Sequence, residues 1–239
     1  MIEARALTIA GRIDAVSAQF EPGRITAICG PNGAGKSTLL QCLAGLLAPD
    51  GGAVLLGGVP LPQGRERARR IGYLPQTGEI AWDLSVGALA SLGRLPHGDR
   101  GEAQVAAALA ALDLTQFAAR PVSTLSGGER ARALLARVLA GEPEWILADE
   151  PLAALDLGHQ LTLLARLRDA ASQGAGVVLV LHDLALAMNH ADRVLVLDEG
   201  QLAADGPPEQ ALAEALIESI WGVRARWLGE PGAWALAAS

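Results

Sequence analysis

The stretch Gly30–Ser37, GPNGAGKS, constrains this chain more than any other part of it. It fits the pattern G-x-x-x-x-G-K-[ST]. A β-rich run, RITAICG, precedes it, and KSTLLQCLAGLL follows with helical spacing. A strand, a glycine-rich turn and a helix in that order form a cradle for phosphate. Main-chain N–H groups curl around the anion's oxygens, and the helix N-terminus adds partial positive charge. The candidate phosphate contacts are Gly30, Pro31, Asn32, Gly33, Ala34, Gly35, Lys36, Ser37 and Thr38. Lys36 is the single lysine among 19 basic side chains; all the others are arginine. An ammonium is compact enough to be shared by several phosphate oxygens in a small nest, whereas a guanidinium is a planar fork that sits badly there. The Ser37 hydroxyl is the expected Mg²⁺ ligand.

Downstream, WILADE and GVVLVLHD are continuous apolar runs, the pattern of strands buried on both faces of a parallel sheet. GHQLTLLARLRDAASQG between them reads as a helix that stops at glycine. Alternation of buried strands and helices predicts an α/β core. From Leu84 to Ala140 the spacing is helical, which predicts an inserted helical segment. RVLVLDEGQLAADG and RARWLGEPGAWALA each read as a hairpin. WILADEP also places Asp149 and Glu150 at the carboxyl end of a buried strand, the edge of an open α/β sheet where ligands bind. One carboxylate there can orient Mg²⁺ while the next polarises a water.

LSGGER, Leu125–Arg130, resembles the signature of ABC ATPases and lies just ahead of the WILADEP strand, in the family's order. Gln76 in YLPQ resembles the Q-loop glutamine, Asp156 in LAALD the D-loop aspartate, and His182 in LVLHD the switch histidine. The resemblance runs along essentially the whole chain, 1–239. It implies one ABC ATPase domain: a P-loop NTPase core of mixed, largely parallel sheet with an N-terminal antiparallel β part (1–77 and 143–239), and an inserted α-helical subdomain over 78–142 carrying the signature. It further implies ATP and Mg²⁺ as ligands, with Glu150 as general base, His182 on the γ-phosphate, Gln76 reaching the metal and the water, and Ser37, Gln76 and Asp149 at the metal. Ser126, Gly127, Gly128 and Glu129 would bind the ATP of a second copy in a head-to-tail homodimer. Ser126 before two glycines also reads independently as a capped helix start, again an anion site.

GYLPQ, LSVGALASLGRLPHG and ALDLGHQ resemble the importer ATPases for ferric siderophores, haem and cobalamin. That implies two integral-membrane permease subunits, a periplasmic solute-binding protein reached through them, and a peripheral place on the cytoplasmic face of the inner membrane. An ABC exporter ATPase and a non-transport ABC ATPase stay open as alternatives. The family stacks adenine on an N-terminal aromatic, but residues 1–19 contain none; Arg12 or Ile13 is the expected substitute. Trp82, after Gln76, falls where the family meets its membrane partner.

Composition narrows the remaining options. A net charge of -7 argues against a nucleic-acid footprint. No uncharged run is long enough to span a bilayer, and the N-terminus has no apolar signal core. Cys29 and Cys42, inside apolar stretches, read as buried free thiols. RERARR, Arg65–Arg70, reads as the solvated face of a short helix. Trp221, Trp227 and Trp234 read as core of the last hairpin.

Overall fold

A computed structural model of the chain describes residues 1–76, 83–153 and 155–238. Trp82 lies outside the described residues. The chain opens with β1 (Ile2–Ile9) and β2 (Ile13–Phe20), then β3 (Ile25–Cys29), the glycine loop and α1 (Lys36–Leu43). A β4 (Gly51–Leu56) and short β5 (Val59–Pro60) pair follows, then α2 (Gly64–Arg70) and β6 (Ile71–Leu74). Helices α3 (Val86–Ser91), α4 (Glu102–Ala111) and α5 (Gly127–Ala140) come next. The order then alternates through β7 (Trp145–Asp149), α6 (Leu157–Ser172), β8 (Gly176–Val180), α7 (Leu184–His190) and β9 (Arg193–Asp198). It closes with β10 (Gln201–Gly206), α8 (Pro208–Ala211), α9 (Glu214–Trp221) and the hairpin β11 (Ala225–Leu228) and β12 (Ala235–Ala238).

The central sheet has the order β10-β9-β3-β8-β7-β6, parallel except for β10. A separate antiparallel sheet, β2-β1-β4-β5, forms a second layer. Alternation along the central strands divides the core in two, because successive side chains point to opposite faces. Ala27, Ile146, Val177, Leu179, Val194 and Val196 join the cluster under the helices, with residues of α3 to α7. Ile28, Leu147, Val178, Val180, Leu195 and Leu197 join the cluster beneath α1 and the antiparallel sheet. Both faces are covered, so the strands read as unbroken apolar runs. The mixed sheet, its antiparallel companion and the flanking helices match the expected fold class. Both cysteines are buried and free, and burial pushes the Cys29 thiol up to about 12.

Other sequence expectations are refined. Trp221 ends α9 rather than lying in the last hairpin, although Trp221, Trp227 and Trp234 all pack partly buried against the helix-side core. The arginines of RERARR are more engaged than a solvated face implies. Arg67 donates to the Gly45 carbonyl, Arg69 to that of Pro96, and Arg70 to both oxygens of Glu144. Within GRLPH, Arg94 is 6% exposed, paired with Asp99 and Glu142 and donating to the Ala140 carbonyl. His97 Nε2 lies 3.0 Å from the Gly141 carbonyl. A Cβ on Gly93 would stand 2.0 Å from the Arg137 carbonyl oxygen. This motif therefore bolts its turn to the C-terminus of α5 and leaves Leu95, 63% exposed, at the surface.

Candidate active site

The glycine loop owes its shape to its neighbours. Gly30 has φ +146°, and a Cβ there would stand 2.1 Å from the Leu197 carbonyl oxygen of β9. Gly35 has φ +94°, and its Cβ would meet Ile13 Cγ2 at 2.5 Å and the Arg12 carbonyl oxygen at 2.7 Å in the β1–β2 turn. The loop is thus clamped between the central sheet and the antiparallel sheet, and only glycine fits either contact. Gly33, at φ +84°, has open space around it.

Lys36 opens α1 and is buried; its Nζ donates to the Gly30 and Pro31 carbonyls at 2.8 Å each. Burial lowers its pKa, opposed by the charges of Glu150, Cys29 and Asp149. Next to it, the Ser37 hydroxyl donates to Asp149 Oδ1 at 3.0 Å. Asp149 ends β7, is 3% exposed, and has its carboxyl raised above the ordinary range by desolvation, with the Ser37 hydrogen bond opposing. A cavity of about 220 Å³ opens above, lined by Arg12, Asn32, Gly33, Gly35, Lys36, Ser37, Thr38, Glu150 and His182.

Glu150 holds the wall of that cavity between two partners. Gln76 Nε2 donates to its Oε2 at 2.8 Å, and His182 Nε2 lies 2.5 Å from its Oε1. Its backbone is in the left-handed region, φ +49°, a conformation that costs an L-residue about 1–2 kcal/mol and persists only where surroundings impose it. Topology brings the three together. Gln76, Glu150 and His182 each follow one of the adjacent parallel strands β6, β7 and β8, and Lys36 follows β3 beside β8. Parallel strands deliver their carboxyl ends to one edge.

The remaining residues singled out in the sequence stand apart from this cavity. Ser126, Gly127, Gly128, Glu129 and Asp156 do not line it. Ser126 caps α5: its hydroxyl accepts from the Glu129 N–H, and Glu129 Oε2 accepts from the Ser126 N–H, a reciprocal capping box. The Ser126 N–H, first among its causes, holds the Glu129 carboxyl below its ordinary range. The signature glutamate thus serves its own helix start. Asp156 caps α6 by accepting from the His159 N–H at 2.9 Å. Gln76 reaches Glu150 rather than the Ser37–Asp149 pair.

The Ser37 hydroxyl on the cavity lining and the buried Asp149 carboxylate bonded to it suit Mg²⁺, which takes hard oxygen donors and keeps few protein ligands beside phosphate oxygens. Among the described residues, no cluster of three or more His, Cys, Asp or Glu offers a complete protein cage for a metal. Reasoning from sequence did not single out Arg132 or Gln160. Arg132 lies on α5 and its Nε is buried without a hydrogen-bond partner among the described residues. For Gln160, the HQ pair after Asp156 was the visible signal.

The family model described as ABC transporter matches residues 13–153. The hemin import ATP-binding protein HmuV of Nocardia farcinica is 47% identical over 216 residues, covering 87% of this chain and 75% of that protein. Among solved structures, an inward-facing metal-chelate type ABC transporter superposes with a TM-score of 0.84 at 28% identity, covering 100% of this chain and 96% of its own. A dimeric ATP-binding cassette in a post-hydrolysis state with ADP and Pi superposes with a TM-score of 0.78 at 25% identity, covering 87% and 99%.

Proposed function

This chain belongs to the ABC transporter family as an ATP-hydrolysing subunit, and from that premise we propose that it powers the import of haem or a related iron chelate. The observation that carries the catalytic reading is Glu150, gripped by Gln76 and His182 on the wall of the cavity whose floor is Lys36. The haem reading rests on the relative at 47% identity, a hemin import ATP-binding protein. Ferric siderophores and cobalamin are the next substrates in line, from the similarity of the YLPQ, GRLPHG and ALDLGHQ segments.

In this reading the loop from Gly30 to Thr38 wraps the β- and γ-phosphates with its main-chain N–H groups, Pro31 having none to give. Lys36 exchanges its two carbonyl partners for phosphate oxygens, a stronger charge-assisted pairing. Mg²⁺, held by Ser37 and Asp149, neutralises phosphate charge when bound. Glu150 accepts a proton from the attacking water, and Gln76 and His182 keep its two oxygens aimed at the cavity. Arg12, on the cavity wall, takes the place of the missing N-terminal aromatic. The α5 N-terminus, whose start the Ser126–Glu129 capping box fixes, supplies Ser126, Gly127, Gly128 and Glu129 to the nucleotide site of a second copy, and Asp156 lies beside that seam. The core divides as 1–77 and 143–239 around the helical insertion 78–142. No helix among the described residues is long and apolar enough to cross a membrane. In this reading a homodimer docks peripherally, on the cytoplasmic face, under two permease subunits fed by a periplasmic solute-binding protein.

The test is reconstitution in liposomes with the permease encoded beside it. ATP-dependent haem uptake is expected, with Glu150→Gln abolishing it and trapping an ATP-bound dimer. Equal hydrolysis by wild type and Glu150→Gln would refute the base assignment. Active hydrolysis without haem uptake, but with uptake of a siderophore or cobalamin, would replace the substrate.

A further inference from the structure

The segment joining Glu150 to α6 is braced from two sides. From the α6 side, Gln160 Nε2 donates to two of its carbonyls, Leu152 at 3.2 Å and Leu155 at 3.1 Å. The preceding residue, His159, meets Asp156 twice: its N–H donates to Oδ1 at 2.9 Å, and its Nδ1 lies 2.8 Å from the same oxygen. From the other side stands α5, the helix that begins at the signature. Leu155 is buried, and its Cδ2 would lie 3.5 Å from a Cβ on Gly128. The Asp156 carboxyl lies below its ordinary range, chiefly through the His159 N–H and ring, with the Arg132 charge of α5 adding to it.

Leu152 follows Glu150 by two residues, and Glu150 sits in a strained left-handed conformation. A backbone in that region keeps its geometry only while the chain on either side is held. The strand β7 holds the side before. On the side after, the local bonds from the Ala153 N–H to the Glu150 carbonyl and from the Leu155 N–H to that of Leu152 are joined by the two carbonyls that Gln160 ties, because a carboxamide presents two N–H donors in one plane and can span both. Gln160 does not line the cavity, so it acts on the reaction only through the segment it holds.

We propose that Gln160 is a positioning residue for hydrolysis, whose amide holds the Leu152 and Leu155 carbonyls beside the signature helix and so fixes where the Glu150 carboxylate points. This rests on the assignment of Glu150 as the base. It makes contact at the signature of a subunit and placement of that subunit's own base parts of one mechanical unit. Leu155 lies beside Gly128 of the signature helix, its carbonyl is tied to Gln160, and the other tied carbonyl, that of Leu152, is two residues after Glu150.

The test uses the full chain and steady-state ATP hydrolysis. Gln160→Leu and Gln160→Glu both remove the two donors at nearly constant size. Each is expected to lower kcat by about 10- to 100-fold, the range that small misplacement of a reacting group produces. KM for ATP should stay within about twofold, because uniform binding of the nucleotide is untouched. A merely structural role would move KM or protein yield without this split. Should the leucine variant be insoluble, the glutamate variant carries the same measurement on a polar, half-exposed surface. Wild-type kcat in both variants, or a raised KM at unchanged kcat, overturns the proposal. Glu150→Gln is assayed alongside. Wild-type turnover there refutes the base itself, whereas an inactive Glu150→Gln with fully active Gln160 variants refutes only the brace.

Discussion

Substituting alanine at Gly30 and at Gly33 separates what the glycine loop needs from its neighbours and what it needs from its own backbone. Both glycines have positive φ, +146° and +84°. At Gly33 a Cβ meets nothing within 4 Å, so only the conformational term remains, about 1–2 kcal/mol. At Gly30 the Cβ would stand 2.1 Å from the Leu197 carbonyl oxygen and 3.1 Å from its carbon. Those are main-chain atoms of β9, hydrogen-bonded into the central sheet, and cannot swing away. To a strain of about 1–3 kcal/mol is added an overpacking term of about 1–3 kcal/mol. The sum centres on about 4 kcal/mol. In a chain of this length each kcal/mol moves Tm by about 2–4 °C. Gly30→Ala should therefore lower Tm by roughly 8–16 °C and Gly33→Ala by roughly 2–8 °C. The assay is thermal unfolding without nucleotide, so that contacts to phosphate play no part. Equal shifts in the two variants, or a larger one at Gly33, would refute the claim that the Leu197 carbonyl dictates glycine at position 30.

Further outcomes follow from the site and its supports. Because burial holds the Asp149 carboxyl above its ordinary 3.8, the folded state binds this proton more tightly than the unfolded chain. Stability attributable to Asp149 is then lost as pH rises through the raised value. Asp149→Asn should raise the Tm of the nucleotide-free protein by a few degrees at neutral pH, lose that gain below the ordinary carboxylate range, and abolish Mg-ATP turnover; a Tm gain independent of pH would contradict the cause. His182→Ala leaves Glu150 with Gln76 as its side-chain partner among the described residues, and kcat should fall on the order of 10²-fold with KM little changed; unaltered kcat in steady-state assays would remove His182 from the machinery. Arg94→Ala strips a buried guanidinium from Asp99, Glu142 and the Ala140 carbonyl. Both carboxylates are half or more exposed, so urea unfolding should show a loss of about 1–3 kcal/mol, below the full cost of breaking a buried pair; no loss would mean that the GRLPH turn is held by other contacts.

How much of this was legible beforehand depended on the range of the interaction. The loop, its helix and the parallel strands were readable because each is written in a local pattern: glycine spacing, helical period, unbroken apolar runs. Asp149 and Glu150 were readable as site residues because a strand's carboxyl end is a local position too. The ABC signature was readable as a capped helix, and Ser126 and Glu129 form that cap. The contacts that anchor the GRLPH turn were not legible, because nothing near it in the chain reveals Arg94's partners Glu142 and Ala140, 48 and 46 residues away. Gln160 was overlooked because a glutamine early in a helix is ordinary until the carbonyls of Leu152 and Leu155 are seen folded back upon it.

From the order of residues alone, then, came the chemistry available to this protein: a phosphate loop with one ammonium, a pair of strand-end carboxylates, and a histidine and a glutamine of suitable type. Only the tertiary structure decided their meeting. Strand pairing set β6, β7 and β8 side by side, so that Gln76 and His182 close on the two oxygens of Glu150. The reason is physical: spacing along a chain dictates dihedral pattern and polarity, whereas neighbours in a sheet are chosen by burying both faces of every strand at once.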